Sequence, residues 1–289
     1  MLGTIGDLVE DVVVRLRGPI NVASDTDATV IRRRGGSAAN AAVAARRAGG
    51  ASRFIGQVGE DPLGAMLIDE LRSEGVEVAV RRRGRSGTIV VLVDASGERT
   101  MLSDRATCVE LDGADPAWLD DLTTLHVPVY SLTEAPLATT TIELVAQAHE
   151  RSIAVSVDAS SVSVIETYGV DRLAGLLASL RPDVLLCNGA EAACLGDAAL
   201  RTIDAAVTVV KRGPDPAVVL ERGAAPVEVR ARSLVDVTDT TGAGDAFAAG
   251  FLLALAGGAV PSAATERGHR TAADAIARAS RERDAPSNG

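Results

Sequence analysis

The stretch Thr238-Asp239-Thr240-Thr241-Gly242-Ala243-Gly244-Asp245-Ala246-Phe247 closes a polar loop and opens a long apolar run from Ala246 to Ala256. A helix beginning leaves backbone N–H groups unpaired, and its dipole favours negative charge. Gly242 and Gly244 carry no Cβ, so a phosphate can come close to the backbone. Asp245, in the first turn, is placed to accept a proton from a hydroxyl. The same residues also read as a threonine-capped helix start with an acidic first turn. The segment alone does not choose between the two.

Three other segments carry similar chemistry. Gly6-Asp7-Leu8-Val9-Glu10-Asp11 follows a short apolar start, which sets Asp7 and Asp11 around the end of a first strand. Ligands of open α/β sheets gather at carboxyl ends of strands, where a carboxylate can accept two hydroxyl hydrogen bonds. A solvated acidic turn explains Asp7 equally well. Gly35-Gly36 allows a tight turn before a small-residue helix that runs to about Ala48. Asn40 in its first turn can both donate and accept, which suits a polyol; a capping asparagine on a packed Ala-rich helix is the alternative. Asn188-Gly189-Ala190-Glu191 places two oxygen donors on one side of a starting helix. Such donors can orient waters around Mg²⁺, yet Asn-x-x-Glu is also an ordinary capping pattern. In the glycine set Gly56, Gly59 and Gly64, Asp61 before Pro62 reads as an N-cap with proline at N1.

The elements that must hold these residues alternate. Thr124 to Val129, Ile153 to Asp158 and Val184 to Cys187 read as strands, with helices over Ala135 to Glu150 and Val170 to Leu180. Ala206 to Lys211 and Ala217 to Glu221 are further strands. This predicts an α/β fold with a mostly parallel sheet covered by helices on both faces. Val12 to Leu16, Ala28 to Arg32, Thr88 to Val93 and Arg99 to Leu102 read as short strands, the last two joined by the turn Asp94-Ala95-Ser96-Gly97. They form either a small sheet able to cover a substrate or extra edge strands. The tail from about Arg281 is expected to fray.

Composition narrows the function. Hydrophobic residues make up 47% of the 289, enough for a sizeable core, and aromatics only 2%. A net charge of -10 argues against nucleic acid or an anionic membrane as partner. Lys211 is the only lysine. Cys108, Cys187 and Cys194 show no C-x-x-C spacing and fit reduced thiols in a cytoplasmic protein. No transmembrane-length run and no signal-peptide pattern are expected. The P-loop, the protein-kinase H-R-D and D-F-G elements and a G-x-G-x-x-G after the first strand are absent. His126, His149 and His269 are scattered, which excludes familiar zinc patterns.

Taken in order, these segments resemble the ribokinase-like (PfkB) carbohydrate kinase family over nearly the whole chain. Asp239 to Phe247 matches its C-terminal signature. Gly35-Gly36 with Asn40, then Gly56, Gly59, Asp61 and Gly64, matches the N-terminal one, and Asn188 with Glu191 its Asn-x-x-Glu element. The resemblance implies one kinase domain over residues 1–289: a Rossmann-like, mostly parallel sheet flanked by helices, with a small β-sheet lid from about 12–32 and 88–102. It implies transfer of the γ-phosphoryl group of ATP to a hydroxyl. Asp245 would be the general base, and the amides of Gly242, Ala243 and Gly244 the anion hole. Asp11, Gly36 and Asn40 would bind the acceptor. Asn188, Lys211, Gly213 and Thr240 would meet the nucleotide, and Glu191 with Asn188 would place Mg²⁺. Some relatives use a monovalent cation such as K⁺, for which Asp239 and Thr241 are candidate ligands. Arg212 is less usual in its place; it contacts phosphate or is solvated.

A sugar or sugar derivative is the expected acceptor, because the few aromatics (Phe54, Trp118, Tyr130, Tyr168, Phe247, Phe251) leave little to stack a purine. A nucleoside kinase on the same scaffold and a non-catalytic sugar-binding regulator are the alternatives. Thr88 to Val93 is more apolar than one buried face needs, which predicts a homodimer through the lid.

Overall fold

A computed structural model describes residues 1–231 and 240–284, with side chains to residue 281. The first strand, β1 (Leu2–Ile5), lies in the interior of a nine-stranded sheet. On one side it pairs in parallel with β4 (Ser52–Val58), and β4 with β5 (Glu77–Arg82). On the other side follow β8 (Thr124–Pro128), β9 (Ala154–Asp158), β10 (Val184–Asn188) and β11 (Val207–Arg212), all parallel. The antiparallel β12 (Asp215–Glu221) and β13 (Val227–Val229) finish that edge. The chain therefore leaves β1 in both directions, and such a switch point opens a crevice at the carboxyl ends of the strands.

Both faces are buried, so the strands are apolar on successive residues rather than on alternate ones. Val184 and Leu186 face one core, Leu185 and Cys187 the other. The first core lies under α1 (Ser37–Arg47), α2 (Pro62–Ser73), α7 (Ala243–Ala256) and α8 (Pro261–Asp284). The second lies under α3 (Leu137–Glu150), α5 (Val170–Leu180) and α6 (Gly189–Ile203), with α4 (Val162–Tyr168) beside them. Helix α7 is apolar nearly all round because α1, the sheet and α8 enclose it. Its contact with α8 depends on glycine: a Cβ on Gly250 would lie 2.2 Å from Thr271 Oγ1.

Four strands build a second sheet, in the order β3 (Ala28–Gly35), β2 (Val9–Leu16), β6 (Gly87–Val93), β7 (Arg99–Asp104). The short strands read from the sequence are thus a separate sheet and not edges of the large one. They are longer than their apolar cores suggest, since pairing runs from Leu16–Ala28 to Val9–Gly35. Asp11 consequently sits within β2, and not at the end of β1 as expected. Strand β4 was hidden by Gly56; a Cβ there would stand 2.7 Å from the Gly6 carbonyl oxygen. Helix α8 continues past Arg281 to Asp284, where the sequence predicted fraying. Asp61 caps α2 as read, accepting from the Gly64 N–H at 2.7 Å with Pro62 at the first position.

Candidate active site

The start of α7 is rich in glycine. Gly242, in the left-handed region at φ 75°, is the N-cap, and no side chain caps the helix. The threonine-capped alternative is therefore wrong. Of the three expected anion-hole amides, that of Ala243 is turned back onto the Thr240 carbonyl at 3.0 Å. Thr240 itself is exposed, and Asp239 lies outside the described residues.

The start of α1 faces this turn. Ser37 Oγ donates to Asp245 Oδ1 at 2.5 Å, and Asn40 also hydrogen-bonds the carboxylate. Burial raises the Asp245 pKa to about 6, and the charge of Asp158 pushes the same way, against the Ser37 and Asn40 bonds and Lys211. Helix α1 can begin there only because residue 36 is glycine: its φ is 100°, and a Cβ would lie 2.1 Å from the Asp7 carbonyl oxygen.

Carboxyl ends of adjacent strands supply a third group. Asp158 ends β9, Asn188 ends β10, and Lys211 stands at the same level of β11. Lys211 Nζ donates to Asp158 Oδ2 at 2.7 Å, with both side chains largely buried. Burial opposes the ammonium charge, but Asp158 and Glu191 outweigh it and hold the Lys211 pKa above its ordinary value. The ammonium also lies 3.6 Å from where a Cβ on Gly244 would be, which brings it beside the α7 start. Asn188 and Glu191 form the capping box: the Glu191 N–H donates to Asn188 Oδ1 at 2.9 Å, and the Asn188 N–H donates to Glu191 Oε2 at 2.7 Å. Burial, then Asp158, raises the Glu191 pKa.

The small sheet contributes Asp11, whose carboxylate packs on Gly35; a Cβ on that glycine would be 2.1 Å from Asp11 Oδ1. Burial raises its pKa against the pull of Arg33 and Arg34. Asp11, Asn40 and Gly242 line one cavity of about 260 Å³. From β7, Arg99 bonds the Thr241 hydroxyl. Asp7 is not among these residues; Arg105 grips it with bonds of 2.7 and 2.9 Å and also reaches Glu134. Arg212 is held by the Pro216 carbonyl and Glu228, so it is neither purely solvated nor aimed at the α7 start. Gly213 makes the turn between β11 and β12 at φ 61°.

The sequence reading missed Ser37 and Asp158. Ser37 directly follows Gly35-Gly36, but its partner is 208 residues away. Asp158 had a usable signal: a carboxylate closing a buried strand in a parallel sheet. The donor set fits Mg²⁺. Asp158 and Glu191 are close enough to raise the Glu191 pKa, and two carboxylates with a preserved water shell are this ion's usual protein ligands.

A parallel sheet with a crossover switch, an open helix start and a carboxylate poised beside it define a phosphotransferase of the ribokinase fold. Residues 4–288 match the model of the pfkB family carbohydrate kinases, and the chain belongs to that family. It is 28% identical over 252 residues to a fructokinase of Escherichia coli, covering 82% of this chain and 81% of that protein. Among solved structures, an adenosine kinase from Sinorhizobium meliloti superposes with a TM-score of 0.83 at 24% identity, covering 98% of each chain. An Escherichia coli protein described as a ribokinase II, solved in complex with ATP and Mg²⁺, gives 0.79 at 21% identity, covering 95% of this chain and 92% of that one. The chain is thus a sugar or nucleoside kinase on the PfkB scaffold. Among the described residues no helix is long and apolar enough to cross a membrane.

Proposed function

We propose that this kinase transfers the γ-phosphoryl group of ATP to a hydroxyl of a small sugar, with Asp245 as general base. The observation that carries the reading is the Asp245 carboxylate, held by Ser37 and Asn40 at the uncapped start of α7. Raising its pKa to about 6 makes it a better proton acceptor while leaving it ionised at neutral pH. The Gly244 amide and the Lys211 ammonium beside it would meet charge on the transferred group. Asn40, Asp11 and the Gly36 turn orient the acceptor, while Asn188, Gly213 and Thr240 border the nucleotide. Asp158 and Glu191 would hold Mg²⁺, which when bound neutralises phosphate charge. The small sheet, tied to the site through Arg99 and Thr241, acts as a cover that excludes water.

No aromatic side chain lines the cavity shared by Asp11 and Asn40, which supports a sugar over a nucleoside. Two measurements test this reading. Asp245→Asn is expected to lower kcat by about 10²–10⁴-fold with ATP affinity kept; near-normal turnover would sink the assignment. A panel of ribose, fructose, keto-deoxy-gluconate and adenosine is expected to show sugar turnover, and adenosine as the sole acceptor would overturn the sugar.

The small sheet also supports a homodimer. Val12, Val14, Val90 and Leu92 share its outer face, joined at the edges by Val30 and Leu102, which are 57% and 55% exposed.

A further inference from the structure

We propose that the groove between α1 and α8 binds an anionic group, phosphate or carboxylate, carried by the same acceptor whose hydroxyl faces Asp245. The proposal rests on the kinase reading of Asp245 and goes on to name the acceptor's charge.

The groove is the cavity that Asp11, Asn40 and Gly242 share at one end. It runs along α1 past Val43, Ala44 and Arg47, facing Thr271, Ala275 and Arg278 of α8. Five arginines line it (Arg33, Arg34, Arg47, Arg267 and Arg278) against two carboxylates, Asp11 and Asp274. A protein with a net charge of -10 has thus concentrated positive charge at the acceptor end of its site. Anions focus into such a concave basic wall.

The hydrogen bonds show which of these charges are already committed. Arg47 is bonded to Glu74, and Arg33 lies 3.8 Å from Asp11. Arg34, Arg267 and Arg278 form no ion pair among the described residues. Arg267 reaches only the Ala48 carbonyl, at 3.0 Å. Arg34 donates to a neutral group, Asn40 Oδ1, at 2.8 Å. Arg278 keeps a buried Nε with no partner. Glu70, Glu74 and Asp245 are carboxylates whose charge reaches Arg34, and Arg34 in turn acts on Asp11; Glu74 feels Arg34 and Arg278 as well as Arg47. Burial, then Arg47, lowers the Arg34 pKa against the pull of Glu70, Glu74 and Asp245. A buried guanidinium N–H without an acceptor is unfavourable until one arrives, and the flat fork suits the oxygens of phosphate or carboxylate.

Position connects this wall to the chemistry. Asn40 bonds Asp245 on one side and Arg34 on the other. One side chain therefore separates the proton acceptor from the guanidinium, so an acceptor with a hydroxyl at Asp245 presents its substituent to the groove.

The test compares matched acceptors under Mg²⁺ and ATP: ribose with ribose 5-phosphate, fructose with fructose 6-phosphate, and glucose with gluconate. The anionic member of at least one pair is expected to have the higher kcat/KM, by about 10-fold or more; whether phosphate or gluconate wins identifies the anion. Arg278→Met is expected to raise KM for that member about 10-fold relative to its neutral counterpart, with Arg278→Lys recovering part and thermal melts confirming the fold. Neutral members turned over as well as or better than anionic ones would overturn the proposal and leave the kinase reading intact. If no acceptor at all is phosphorylated, the kinase reading fails. Calorimetric titration with inorganic phosphate then decides the groove: binding lost in Arg278→Met supports it, and no binding to the wild type overturns it.

Discussion

Asp245 works in surroundings that oppose its own charge, and two measurable effects follow from that. If its ionised form takes the proton, kcat/KM should fall as pH drops through about 6, the pKa to which burial raises it. Ser37→Ala removes a bond that holds this pKa down, so the acid limb should move to higher pH; a profile unchanged from wild type would exclude Ser37 as its positioning partner. The linkage to stability has the opposite sign. The folded pKa lies above the ordinary aspartate value of 3.8, so between about 3.8 and 6 the folded state holds more proton than the unfolded one. Asp245 therefore withdraws stability as pH rises through that window. Asp245→Asn should melt higher than wild type at pH 7 and lose the advantage near pH 4, as a pair of thermal scans would show. Asp245 and Asn40 were legible because each sits in a short glycine-marked motif. Ser37 and Asp158 were not, because their meaning depends on partners brought across the sheet.

Elements fix the site by closeness that only particular residues permit. Gly36→Ala would push a Cβ to 2.1 Å from the Asp7 carbonyl at a φ of 100°. It should destabilise the protein by about 1–3 kcal/mol and displace Asn40, raising the acceptor KM; denaturant unfolding with kinetics checks both. The ends of β9 and β11 hold a buried ion pair, and Lys211→Met leaves Asp158, 7% exposed, without its partner. A loss of about 3–5 kcal/mol is expected, part of which Lys211→Met with Asp158→Asn should restore. Of the parallel strands, β8, β9, β10 and β11 were readable as mainly apolar runs, whereas β4, SRFIGQV, was not. Strand β5 was not, since its burial is partial and it carries Arg81 and Arg82. The Asn188-x-x-Glu191 pattern is the capping box of α6, and the charge of Asp158 also reaches Glu191.

The described residues form one large sheet and a smaller one, whose strands leave the chain between β1 and β4 and between β5 and β8, and the smaller sheet has an apolar outer face. If that face joins two copies, light scattering should give twice the 29.6 kDa chain mass, and Leu102→Glu should return the monomer. A monomeric wild type would remove the idea. Alternation of strand and helix made this architecture readable, whereas the separation of the two sheets depends on pairings between Val9 and Gly87 that no local pattern encodes. The single lysine has a last consequence at this scale. Its amine is charged, largely buried and bonded to Asp158, so it is shielded from amine-directed reagents while the centre is closed. An acylating probe should therefore leave Lys211 unmodified. An adduct at Lys211 would mark molecules whose centre has opened, so a mass spectrum of the Lys211 peptide taken with and without nucleotide becomes a direct gauge of that opening.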